Sequence, residues 1–100
     1  MTEVKINIKP DYLDVVAYYD VFGEQIVLNV RNIWKKRAMV DKSHTLFKKP
    51  MQQRLVEVLA HEAIHAALDK YVSEEASIAF DKLTPALWRK GISIATNRKW

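Results

Sequence analysis

The spacing of apolar residues changes character along the chain. Val4, Ile6 and Ile8 alternate with Lys5, Asn7 and Lys9, the period-two pattern of a half-buried strand. Pro10 ends it, because proline offers no N–H to a ladder. Leu13–Val21 is rich in β-branched and aromatic residues and predicts a second strand. Phe22-Gly23-Glu24-Gln25 predicts a turn, and Ile26–Val30 a third strand that forms a hairpin with the second. In that reading the third strand is the edge of the sheet, where a peptide can add as a further strand. Arg31–Met39 predicts a short helix with Ile33 and Trp34 facing in, and Val40–Lys49 a polar loop.

From Pro50 onward the pattern is helical. Proline is tolerated in a first helical turn, and the helix over 50–71 is the longest predicted element. Ser73 is a good N-cap for the next helix, and Glu74 and Glu75 in its first turn suit the positive end of the dipole. That helix is expected over 74–83. Thr84-Pro85 then reads as a cap followed by proline, restarting a helix that leads into the tail Thr96–Trp100. A three-stranded sheet (1–31) followed by helices makes a single α+β domain.

Composition narrows the chemistry. The chain has 100 residues and no cysteine. Any metal must therefore be held by histidine and carboxylates. A core of this size is marginal alone, so a metal, a homodimer or a firmly held tail would help. The N-terminus carries no apolar segment of signal-peptide length, and no apolar run suffices to span a membrane; a cytoplasmic protein is expected. The net charge is +4, with basic residues in short clusters such as Lys35-Lys36-Arg37 and Arg98-Lys99. Runs this short read as solvated faces rather than a nucleic-acid surface.

Val58–Leu68 reads V-L-A-H-E-A-I-H-A-A-L, with His61, Glu62 and His65 its only polar residues. Holding two imidazoles and a carboxylate in apolar surroundings is costly unless something offsets it. His-Glu-x-x-His on a helix puts both rings on one face, one turn apart, within reach of one Zn²⁺. His61 and His65 are then two of three protein ligands, with a water in the open position. Glu62, about 100° round the helix, is placed to take that water's proton and hand it to a leaving amine. The pattern with a third His is excluded, because Leu68 and Tyr71 stand where its Gly and His would fall. Asp69 lies on the same straight helix and cannot converge with the two rings, and His44 sits in a polar, lysine-rich loop. Glu74 and Glu75 remain as candidate third ligands. Glu75 is preferred, since it shares a helical face with Ile78, Ala79 and Leu83. Asp69 and Asp81 are the carboxylates available to take an outer N–H of a ligand histidine, and Tyr71 or His44 could face an oxyanion.

HEAIH, a short spacer and the SEEAS stretch resemble the gluzincin metallopeptidases, whose third zinc ligand is a glutamate on the following helix. The small sheet before the motif helix and the short length resemble most the minigluzincins, minimal archaeal members of about this size. The resemblance covers the chain from the first strand to Leu83, although the N-E-x-x-S-D form of larger relatives is absent. It implies a minimal zincin-like fold and a zinc-dependent endopeptidase acting on a peptide or protein, with a cleft between sheet edge and motif helix. It also implies a latent form, in which Trp100 and the terminal carboxylate occupy the cleft of the same or a neighbouring molecule. Two other readings follow from the same residues. One is a peptidase that cleaves a regulator of a mobile element. The other is a non-enzymatic basic binding module whose HExxH holds a structural zinc.

Overall fold

In the computed structural model, which describes residues 5–20, 22–35 and 45–100 without the Phe47 side chain, strand β3 (Gln25–Asn29) lies at the centre of a three-stranded sheet. Strand β1 (Lys5–Lys9) pairs with it in parallel, from Lys5↔Gln25 to Lys9↔Asn29. Strand β2 (Ala17–Asp20) pairs antiparallel on the other side, from Ala17↔Leu28 to Asp20↔Gln25. The expected hairpin is present, but β3 is not the edge; β1 and β2 are. Its unbroken run Ile26-Val27-Leu28 is buried on both faces, the burial of a strand with neighbours on either side. A peptide therefore cannot add to β3.

The second strand is shorter than its composition suggests. The carbonyls of Leu13 and Val15 accept from the side-chain amides of Asn29 and Asn32, at 2.8–3.2 Å, so this stretch is held by side chains and not by a ladder. Helix α1 (Val30–Lys35) follows β3 directly. Ile33 is buried as expected, whereas Trp34 is 63% exposed. The predicted extension of this helix to Met39, the first part of the predicted loop Val40–Lys49 and His44 itself lie outside the described residues; the rest of that loop contains a short 3-10 helix, Thr45–Lys48.

Helix α2 (Met51–Tyr71) lies over β2 and β3. Met51, Leu55, Val58 and Leu59 pack on Ile26, Leu28, Ile33, Val16 and Ala17. Each such aliphatic side chain, fully buried, is worth about 1.5–3 kcal/mol. Ile6 and Ile8 on β1 fall beyond this cover and are 52% and 54% exposed, so the alternation in β1 marks a face that stays largely open. Arg54 fixes the start of α2, donating to the carbonyls of Lys49 (2.9 Å) and Ile33 (3.1 Å).

At the far end the chain reverses within a few residues. The N–H groups of Val72 and Ser73 both donate to the Leu68 carbonyl, at 3.0 and 2.9 Å. Ser73 then caps helix α3 (Glu74–Arg89), its hydroxyl accepting from Ala76 N–H at 3.1 Å. The predicted restart at Thr84-Pro85 does not occur, and α3 runs through Pro85. Thr84 is buried, and its hydroxyl donates to the Phe80 carbonyl at 2.8 Å instead of capping a new helix. Burial of Thr84 and Trp88 on the same face holds the helix together across the proline.

Gly91, at φ 75°, ends α3. Gly91 N–H donates to the Trp88 carbonyl and Ile92 N–H to the Leu87 carbonyl, both at 2.9 Å, the two bonds of a Schellman cap. The last residues form a tight loop closed by the bridge Ile92↔Lys99, with Ser93 N–H donating to the Arg98 carbonyl and Trp100 N–H to the Gly91 carbonyl. No helix among the described residues is long and apolar enough to cross a membrane.

Candidate metal centre

The α2–α3 reversal is tight, so the two helices run antiparallel and residues equidistant from Tyr71 come level. His65 and Ser77 are each six residues from it, His61 and Asp81 each ten. The contacts follow this arithmetic. Asp81 Oδ1 lies 3.2 Å from His61 Nε2 and 3.2 Å from His65 Nε2. His65 Nδ1 lies 2.6 Å from Ser77 Oγ. Ser77 and Asp81, one turn apart on α3, therefore grip both nitrogens of one ring, and Asp81 alone reaches the second ring. One ligand atom each from His61, His65 and Asp81 can be chosen so that all lie within 4.8 Å of one another.

These spacings suit a cation. Zinc bound tetrahedrally at 2.0–2.1 Å sets neighbouring ligand atoms about 3.3 Å apart, close to the 3.2 Å from the Asp81 oxygen to each ring nitrogen. Two neutral imidazoles and one carboxylate are the donor set expected where cysteine is absent. The Asp81 side chain is 66% exposed, against 14% and 20% for His61 and His65. The group thus opens to solvent on the carboxylate side and is walled by protein on the imidazole side.

No family model, curated protein or solved structure matches the chain.

The aromatic surroundings are specific. The His61 and His65 rings meet edge to face, with centroids 4.5 Å apart. Phe80 stacks on His61 at 5.2 Å and 28°, and meets His65 edge-on at the same distance. Trp88 lies 5.8 Å from His61. Burial pushes the His61 pKa below its usual value, with the neighbouring His65 adding to the effect and Asp81 opposing it. A neutral ring with a free lone pair is the ligand form of histidine. Glu62 shares the side of α2 that carries Leu55 and Leu59, by helical spacing. Burial raises its pKa; His65 works against that rise and Asp81 with it.

The carboxylate that joins the two rings is thus Asp81, not Glu75 or Glu74. Both glutamates are exposed in the first turn of α3. Glu75 sits six residues before Asp81, about 9 Å short along the helix axis. Its supposedly inward neighbours Ile78 and Leu83 are 51% and 53% exposed. The inward face of α3 is Ser77, Phe80, Thr84 and Trp88. Asp69 and Tyr71 are both exposed near the end of α2.

Trp100 is placed elsewhere. It lines a cavity of about 370 Å³ with Gln52, Gln53 and Val56, near the start of α2, and Lys49 Nζ lies 5.7 Å from its ring. The tail is instead tied to Glu57, a residue that sequence reasoning passed over. Glu57 is 2% exposed. It accepts from Trp88 Nε1 (3.0 Å), Ser93 Oγ (2.6 Å), Ile94 N–H (2.7 Å) and Ala95 N–H (3.2 Å).

Proposed function

We propose that His61, His65 and Asp81 hold a divalent cation, zinc in the first instance, and that the protein is a cytoplasmic zinc-dependent endopeptidase. The observation that carries this is the single Asp81 oxygen 3.2 Å from both imidazole Nε2 atoms, a spacing compatible with two edges of a tetrahedral zinc shell. The absence of cysteine fits both an intracellular setting and this all-nitrogen-and-oxygen donor set.

The opening on the Asp81 side favours catalysis over a structural role, because structural zinc is closed off by four protein ligands and catalytic zinc keeps a position free. A bound cation would supply Lewis acidity to a scissile carbonyl and acidity to the attacking water. The protein's own groups do the rest. Glu62 accepts the proton of the water as it attacks and returns it to the amine as the C–N bond breaks. Burial raises its pKa in the metal-free protein, the direction that favours a carboxylate able to take up a proton. Ser77 holds the outer nitrogen of His65 and so fixes that ring's orientation. The shallow, open site suits a flexible or unfolded peptide rather than a deeply bound side chain.

The test is cleavage of an unfolded protein substrate by wild type and Glu62→Gln, both loaded with zinc. Wild type should cleave and Glu62→Gln should bind the metal without cleaving. Equal turnover by both would remove Glu62 from its role. Zinc binding by both with no turnover by either would leave a structural site.

A further inference from the structure

The two histidines of the centre are held in different ways. His65 is fixed at Nδ1 by Ser77 Oγ. The Nδ1 of His61 is buried and meets no hydrogen-bond partner among the described residues. Rings hold it in place: Phe80 stacked at 5.2 Å and 28°, and Trp88 at 5.8 Å and 45°. With no hydrogen bond at Nδ1, the angle of this imidazole is set by Asp81 at Nε2 (3.2 Å) and by the rings packed against its faces and edge.

Trp88 is itself fixed by a directional bond, Nε1–H donating to Glu57 Oε1 at 3.0 Å. Glu57 stands one turn before His61 on the same face of α2. Its second oxygen accepts from Ser93 Oγ and Ala95 N–H, while Ile94 N–H shares the first. All four donors come from α3 or from the segment after it. An aliphatic side chain would fill this place without the desolvation that a buried carboxylate incurs. What the carboxylate adds is direction, since charge-assisted bonds fix both distance and angle.

We infer that Glu57 is a positioning residue of the metal centre: through the Trp88 indole it sets the orientation of the His61 ring, and so the affinity of the His61–His65–Asp81 group for a divalent cation. The inference rests on the metal reading given above. It also changes the part assigned to the C-terminal segment. Ser93–Ala95 hold the carboxylate that holds Trp88, so the segment supports the site from behind.

The experiment compares wild type, Glu57→Gln and Trp88→Phe. Zinc affinity is measured by competition with a chromophoric chelator, and the ring signals of His61 and His65 by NMR in the metal-free proteins. Glu57→Gln turns an amide N–H₂ toward one pair of donors. It should weaken zinc binding by up to about tenfold, the low end of the effect of losing a direct outer partner, because Glu57 acts through Trp88, and it should shift the His61 ring signals while those of His65 stay near their wild-type positions. Trp88→Phe keeps a ring and loses the N–H, and should act in the same direction less strongly. It also decides the matter alone should Glu57→Gln fail to fold. Wild-type affinity and unmoved His61 signals in a folded variant would overturn the inference, leaving Glu57 as a tie for the tail. Absence of zinc binding by wild type would overturn the metal reading instead, and the metal-free His61 signals would still decide whether Glu57 positions that ring.

Discussion

Replacing Glu57 by alanine removes an acceptor that four donors share. The bonds from Trp88 Nε1 and Ser93 Oγ are buried, and those from Ile94 and Ala95 N–H are partly open to solvent. A buried donor left without a partner costs about 1–3 kcal/mol. Two such donors, with the two backbone groups turning to water, bring the loss to about 4 kcal/mol. A domain of this size has about 5–15 kcal/mol in all, so the metal-free variant should stand near its threshold. Urea unfolding followed by tryptophan fluorescence reads this directly. With a slope of about 2 kcal/mol per molar, the midpoint should fall by about 2 M. Ser93→Ala, which removes one donor and leaves the acceptor with its three other donors, should cost only about 1 kcal/mol. A Glu57→Ala midpoint within about 0.5 M of wild type would refute the reasoning, because the four donors would then be finding water at no loss.

Gly91→Ala places a side chain at φ 75° and should cost about 1 kcal/mol, lowering the melting temperature by about 4–8 °C; an unchanged melting curve would contradict the cap assignment. Ser77→Ala frees the outer nitrogen of His65 and should weaken zinc binding about tenfold, read by the same chelator competition; unchanged affinity would place Ser77 outside the centre. The depressed His61 pKa predicts a pH dependence for the metal-free protein. Below the usual value of 6.5 the unfolded chain binds a proton that the folded ring refuses, so stability falls as pH drops through that window and levels off below the folded value. His61→Leu should remove that part of the slope when urea midpoints are compared at pH 7.5 and 5; an identical slope in both proteins would argue against a neutral buried ring. Removing Ile94–Trp100 should weaken zinc binding, whereas a tail that covered the cleft would raise peptide hydrolysis when removed.

The motif was legible because histidines at i and i+4 share a helix face whatever packs against it. His61 and His65 meet in the structure for that reason alone. The three strands, the long helix and the Ser73 cap were legible from period and capping chemistry. The order of the strands was less so, although β3 carried a cue in its unbroken run Ile26-Val27-Leu28, which needs cover on both faces. Asp81 was missed through a facing argument. Ile78 and Leu83 mark an apolar side of α3 that points outward, while the side against α2 carries Ser77 and Thr84. Counting outward from the tight turn would have found it, since antiparallel helices set His61 level with Asp81 and leave Glu75 level with Ala67. Thr84-Pro85 misled because its hydroxyl bonds backward to Phe80 within the helix. Glu57 had no local signal. Its donors are Trp88 and residues 93–95, brought to it only by the α2–α3 reversal and the turn at Gly91.

Zinc titration of the metal-free protein beside Asp81→Ala and Glu75→Ala tests the central claim most directly. Wild type and Glu75→Ala should bind one ion per chain with the same affinity. Asp81→Ala should lose more than the roughly hundredfold that marks the upper range for outer partners. No binding by wild type, or a loss in Glu75→Ala with Asp81→Ala unaffected, would contradict a centre built from His61, His65 and Asp81.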